Sequence, residues 1–223
     1  MKIIAVVPVK RLTGVKQRLA SRLSPEERAG LVLRCLGREL DLLAGNPAIQ
    51  QTLVVTPDAA VGALAEMHGA VALLQVDDGL NQAAQLGVAA ARERGATHAL
   101  ILHADLPFVA AGDLAALVAA AGRAGMAIAP DRQGAGTNGL LIPVDAGFDM
   151  AYGAGSYARH LESARRSGLR VETVRAAGIA FDLDTPADLL EYRRRMRSSD
   201  DRMAAHRLER CPWEVGEERG NAG

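Results

Sequence analysis

Short unbroken apolar runs alternate along most of the chain with longer stretches in which apolar residues return every third or fourth place. The runs predict strands buried on both faces, and the helical period between them predicts helices packed over a sheet. Strands are expected at 2–9, 51–56, 71–76 (an edge strand), 97–102, 126–129 and 170–174, with an apolar run at 140–143. Helices are expected at 25–44, 59–68, 113–121 and 157–167. Two more should open at Gly79-Leu80-Asn81, running to Arg94, and at Thr185-Pro186, running to Arg195. Ser24-Pro25-Glu26-Glu27 combines a capping side chain, a first-turn proline and a capping-box acid, and Gly45-Asn46-Pro47 stops the helix that follows. Strands alternating with helices predict an α/β fold with a mainly parallel sheet flanked by helices.

The chain is organised around Ala99-Leu100-Ile101-Leu102-His103-Ala104-Asp105-Leu106-Pro107. An apolar run stops at an acid, as when a buried parallel strand delivers a carboxylate to the rim where α/β sheets bind ligands. Asp105 is therefore the first candidate for a working residue. The competing reading makes it the cap of a helix beginning near Gly112.

Composition narrows the class. The 223 residues, 49% of them hydrophobic, suit one large domain with a sizeable core. The 26 basic and 26 acidic residues cancel, which argues against a nucleic-acid partner, since duplex binders need a basic surface. No segment approaches the roughly 20 apolar residues that span a membrane. Cys35 and Cys211 form no CxxC pairing, so a reduced, cytoplasmic location is expected. Composition changes after Arg197: residues 1–197 read as the domain and 198–223 as a charged tail holding Trp213.

Four further stretches carry chemistry. Lys10, Arg11, Lys16 and Arg18 crowd the loop after the first strand, well placed for phosphate, although neither a P-loop nor a dinucleotide fingerprint is present. Gly79-Leu80-Asn81 lies at a helix N-terminus, where backbone donors are free, and Asp78 is the alternative cap. The glycine-rich loop ending Gly136-Thr137-Asn138, and Gly153-Ala154-Gly155-Ser156 before a helix, are ready anion sites, with a bare hairpin and a Ser156 N-cap as the plain alternatives. His160, inside the following helix, reads as surface or core. In Phe181-Asp182-Leu183-Asp184-Thr185-Pro186, a strand would place Asp182 and Asp184 on one face. With Asp105 they would suit Mg²⁺, which takes one or two carboxylates together with substrate phosphates. The alternative is that Asp184-Thr185-Pro186 only caps the last helix.

These motifs, taken in order with Pro8-Val9-Lys10, Lys16-x-Arg18-Leu19-Ala20, Leu23-Ser24-Pro25-Glu26-Glu27-Arg28, Val55-Thr56-Pro57-Asp58 and Ala129-Pro130-Asp131-Arg132, closely resemble the CofC/FbiD guanylyltransferases over residues 1–195. The resemblance implies a single-domain nucleotidyltransferase fold of the glycosyltransferase-A type. It implies an Mg²⁺-dependent enzyme that joins GTP to phosphoenolpyruvate, 2-phospho-L-lactate or 3-phospho-D-glycerate, releases pyrophosphate and serves coenzyme F-420 biosynthesis. By the same resemblance Asp105 and Asp184, with Asp182 nearby, would hold the metal, and Thr137, Gly153 and Ser156 the phospho-acid. Lys10, Lys16 and Arg18 would face the triphosphate, Lys16 acting in catalysis, with Gly79 and Asn81 near the nucleotide. A homodimer and contact with the downstream deazaflavin transferase are further partner expectations. The family pattern has proline where this chain has Ala154, which implies a less rigid loop. Other readings are a different nucleotidyltransferase, such as a molybdopterin guanylyltransferase, whose first loop is richer in glycine, or a non-catalytic nucleotide-binding module. A phosphatase of the haloacid-dehalogenase type fits less well, because its Asp-x-Asp motif would stand too near the C-terminus.

Overall fold

The computed structural model describes residues 1–75 and 79–197. Asp78 as a cap, the end of the third strand at Val76, Cys211, and the 198–223 tail with Trp213 lie outside the described residues.

The elements follow the order β1 (Ile3–Pro8), α1 (Pro25–Ala44), β2 (Ile49–Thr56), α2 (Ala59–Met67), β3 (Val71–Leu74), α3 (Leu80–Glu93), β4 (His98–Leu102), α4 (Ala111–Ala124), β5 (Gly125–Pro130), β6 (Thr137–Pro143), α5 (Ser156–Arg166), β7 (Arg170–Thr173), α6 (Ala177–Ala180) and α7 (Pro186–Met196). One seven-stranded sheet runs β3-β2-β1-β4-β6-β5-β7. β6 is antiparallel to β4 and β5, and the other pairings are parallel.

Alternation along the strands divides the core into two layers. Ile3, Ala5 and Val7 of β1 and Leu100 and Leu102 of β4 pack under α1, α2 and α4. Ile4, Val6, Ala99 and Ile101 pack under α3 and α5. α3 is seated close: a Cβ at Gly87 would lie 2.2 Å from Val6 Cγ1. A third cluster joins Leu19 and Leu23 of the loop after β1 to Leu31 and Cys35 of α1 and to Phe181, Leu183 and Leu189 near the end of the domain. It is what brings the Lys16 loop and the Asp184 segment to one place.

β1 continues to β2 on one side and pairs with β4 on the other, so the order of the sheet reverses there. Loops leaving the ends of β1 and β4 then line a common crevice, the usual ligand position in open α/β sheets.

Three expectations need correction. Residues 181–184 form no strand, so Asp182 and Asp184 do not share a strand face. Both edges of β4 are already taken by β1 and β6, and the segment makes a single backbone bond there, from Leu183 N–H to the Asp105 carbonyl (3.2 Å). Thr137 and Asn138 belong to β6 rather than to the loop before it, and the register shift opposite Ala129 and Pro130 places a bulge at Asn138. α4 begins at Ala111, and Asp113 rather than Asp105 secures it, its carboxylate accepting the Ala110 N–H (2.9 Å). Asp105 is thereby left for other work.

Candidate active site

The loop from Lys10 to Leu23 is tied down on both sides. Asp58, which caps α2, also accepts the Leu12 N–H (2.9 Å), and the Arg11 guanidinium reaches the Pro57 carbonyl (3.2 Å). Buried Arg28 of α1 donates to the carbonyls of Val15 and Leu23, both at 3.0 Å. Held in this way, Lys16 takes a left-handed backbone (φ 51°), alone among the described non-glycine residues. Such a conformation costs on the order of 1 kcal/mol and persists only when its surroundings over-determine it.

That turn directs the Lys16 ammonium inward, where it pairs with Asp105 and lies 2.5 Å from Asp184 Oδ1. Burial alone would depress the ammonium, but the two carboxylates override it and hold Lys16 above its ordinary range. Burial would likewise raise Asp105, yet Lys16, and behind it His103, keep this carboxyl below the usual range. Asp184 is set by its neighbour in the last helix: Asp188 Oδ2 accepts the N–H groups of Asp184 (3.2 Å) and Thr185 (2.7 Å). Arg132 pairs with Asp188 and stacks 4.2 Å from the Phe181 ring, strapping the loop after β5 onto this segment. Thr185 is the N-cap, so Asp184 is free of that duty.

These groups open on a cleft of about 580 Å³ lined by Lys10, Lys16, Arg18, His103, Asp105 and Asp184. Lys10 and Arg18 are exposed on its rim. Its cations come from the β1 side and its carboxylates from the β4 side.

The glycine-rich turn lies on the far side of β4. The bulge at Asn138 sends that residue's amide to the Ile179 carbonyl (2.9 Å) and turns Thr137 toward α5. There Thr137 Oγ1 meets His160 Nδ1 at 3.0 Å. His160 Nε2 accepts the Ala151 N–H (3.0 Å), and burial, then Arg159, depresses the imidazole to about 4. The neutral ring accepts at Nε2 and so donates from Nδ1, which leaves the Thr137 hydroxyl proton available to a ligand. Gly153 (φ 114°) and Gly155 (φ 69°) make the turn that sets Ser156 at the start of α5, with its N–H on the Gly153 carbonyl (3.0 Å).

A side chain braces this turn where the family pattern has proline. The Arg159 guanidinium donates to the carbonyls of Ala151 (2.8 Å), Tyr152 (3.2 Å) and Ala154 (2.5 Å). Asn81 also serves it: its Oδ1 accepts the Tyr152 N–H at 2.7 Å, so its amide braces α3 against the turn. Gly79 is the α3 N-cap and makes no side-chain cap bond. Thus Lys16, Asp105 and Asp184 converge, with Lys10 and Arg18 on the same cleft, while Thr137, Gly153 and Ser156 form a second group beside it.

Asp182 does not join the pair. Burial, then Asp105 and Asp184, push it up to about 6. Among the described residues no group of three or more His, Cys, Asp or Glu side chains is placed to hold a metal. Sequence reasoning missed Arg159, Asp188 and the role of His160. The one available signal was the four-residue spacing from Ser156 to His160, which puts both on one helix face.

The comparisons with known proteins agree with this geometry. Residues 1–222 match the family described as "Guanylyl transferase CofC like". The chain belongs to that family. The match passes the boundary expected at Arg197 and takes in the tail. The phosphoenolpyruvate guanylyltransferase of Sphaerobacter thermophilus is 47% identical over 86% of this chain and 92% of its own. The 3-phospho-D-glycerate guanylyltransferase of Phenylobacterium zucineum is 36% identical over 85% of this chain and 89% of its own. In fold, a nucleotidyl transferase from Methanothermobacter superposes with a TM-score of 0.62 at 22% identity, covering 87% of this chain and 97% of that one. The nucleotidyltransferase fold and guanylyl-transfer chemistry follow for this CofC-family chain. No helix among its described residues is long and apolar enough to cross a membrane.

Proposed function

We propose that the protein transfers GMP from GTP to the phosphate of a three-carbon phospho-acid and releases pyrophosphate, in the pathway to coenzyme F-420. The observation that carries this reading is the convergence of Lys16, Asp105 and Asp184 on a cation-lined cleft, one strand away from the Thr137 and Gly153–Ser156 turn. Phosphoenolpyruvate is the acid we place first, since the relative at 47% identity carries that name; 3-phospho-D-glycerate is second.

The acid's phosphate is already ionised, so its attack on the α-phosphorus of GTP needs no general base. The main obstacle is repulsion between anions, which positioned cations relieve. Lys10 and Arg18 on the rim, and Lys16 within, face the triphosphate. Thr137 and the Gly153 turn hold the acid by hydroxyl and backbone donors. Asp105 and Asp184 fit Mg²⁺: both are hard oxygen donors, and Asp105 Oδ1 is buried with no hydrogen-bond partner. Bound there, the ion would offset charge on the transferring phosphoryl group.

Incubation with GTP, Mg²⁺ and each of the three acids, followed by pyrophosphate release, tests the reading. Release that depends on one of the acids is expected. No release with any of them would overturn it.

A further inference from the structure

The reaction as described gives no work to the side chain of His103, although it stands two residues before Asp105 on the same cleft. Its Nε2 is buried and has no hydrogen-bond partner. An imidazole nitrogen withdrawn from water and left unpaired is costly, and native structures seldom keep one without a reason. The ring is not loose. It lies 5.1 Å from the Tyr152 ring, which meets His160 edge-on at 4.8 Å, and His160 is bonded to Thr137. The His103 backbone N–H is fixed to the Asn138 carbonyl (3.2 Å). The Tyr152 hydroxyl is a second buried group without a partner in the same cluster.

Position decides what His103 would contact. The alternation of β4 puts Ala99 and Ile101 in the layer under α3 and α5, and its continuation puts His103 there, beside Tyr152. Tyr152 adjoins Gly153. The cations suited to a triphosphate come from the opposite wall, the loop after β1. An imidazole N–H suits one oxygen of a small anion, adding to the hydroxyl and backbone donors of the turn.

We propose that His103 is a specificity-determining residue that hydrogen-bonds the phospho-acid through Nε2, from the floor between Asp105 and the Gly153 turn. This rests on reading that turn as the acid's site.

The variant to make is His103→Phe, which keeps the tilted ring contact with Tyr152 and removes the nitrogen; His103→Gln keeps a donor. With phosphoenolpyruvate as the acid, His103→Phe should raise its KM about tenfold to a hundredfold, with the KM for GTP changed less than about twofold. His103→Gln should recover part of that loss, and calorimetric binding of the acid to this variant supplies a second readout should the Phe variant fold poorly. An unchanged KM for the acid in both variants, or an equal rise in both KM values, would overturn the assignment. Should the wild-type protein turn over none of the acids, the substrate reading itself falls; normal wild-type turnover with an unaffected Phe variant removes only His103.

Discussion

Lys16 Nζ lies 2.5 Å from Asp184 Oδ1, closing a contact across 168 positions of chain. The same ammonium meets Asp105, so one cation holds two carboxylates that would otherwise repel each other. The contact depends on the left-handed backbone at Lys16, and that backbone depends on Arg28 and Asp58, which anchor the loop. Local strain, ion pairing and the crevice are therefore one arrangement.

Removing the cation tests it. In Lys16→Met the stem is kept and the charge lost, leaving Asp105 and Asp184 face to face. Asp184's side chain is 42% exposed, so water absorbs part of the penalty, and a loss of about 1–3 kcal/mol is expected rather than the full cost of breaking a buried pair. Guanylyl transfer should fall by at least about a hundredfold, the scale of one electrostatic contact to the transition state. Thermal unfolding supplies an independent readout: Mg²⁺ should raise the melting temperature of the Met variant more than that of the wild type, because the paired acids then lack their internal cation. Equal shifts would show that the two carboxylates do not share a cation.

Arg159 makes a second prediction. Its three carbonyl contacts hold the turn at Ala154, where the family pattern has proline. Arg159→Ala should raise the KM for the phospho-acid severalfold and leave that for GTP unchanged, since the nucleotide cations sit on the other wall. Adding Ala154→Pro should restore much of the loss by cutting the turn's freedom in the unbound protein. Steady-state kinetics of the single and double variants decide it, and a double variant no better than the single one would refute the bracing role.

The contrast between Asp105 and Asp184 shows what the chain reveals about itself. Asp105 was legible because an apolar run ending in an acid has one common meaning in a parallel sheet. Asp184 was legible as an acid of interest, but its alternating neighbours Phe181 and Leu183 suggested a strand. Those residues are buried in a satellite cluster instead, at a point where β4 has no free edge. Strand periodicity reports burial of alternate side chains and does not report whether a partner edge is open. The Lys16 loop was readable as basic; that its ammonium bridges two distant acids was not, because pairing across 168 positions leaves no local pattern. Thr137 was assigned to a loop since glycines and polar residues precede the apolar run, whereas a bulge at Asn138 lets β6 begin at Thr137.

The acid limb of stability follows from His160. Its native imidazole is depressed to about 4, from an ordinary 6.5, by burial and by Arg159. The unfolded chain therefore binds a proton that the native state refuses between these values, and unfolding is favoured as pH falls. The His160 contribution is fully present above about pH 6.5 and is lost progressively toward pH 4, amounting to about 3 kcal/mol as an order of magnitude. His160→Gln removes the titration. Urea unfolding at several pH values should show a shallower acid slope for this variant than for the wild type, and the difference isolates His160 from the other histidines. Parallel slopes would show that His160 titrates alike in the folded and unfolded chain.

The close seating of α3 on β1 provides the last prediction. A Cβ at Gly87 would stand 2.2 Å from Val6 Cγ1 and 3.2 Å from Val6 Cβ. Val6 is fully buried in β1 and branched at Cβ, so it has little freedom to turn aside. Gly87→Ala gains about 1 kcal/mol of helix propensity, yet overpacking of a tight core costs about 1–3 kcal/mol or more, and the contact distance puts this site at the high end. Net destabilisation is expected. Relief must come from α3 moving off the sheet, and α3 carries Asn81, the brace of the Tyr152 turn. The variant should therefore also bind the phospho-acid more weakly. In Val6→Ala/Gly87→Ala the small side chain makes room, and the double variant should be more stable than the sum of the single losses predicts. Additive losses in chemical denaturation would mean that α3 and β1 do not press on each other at this point.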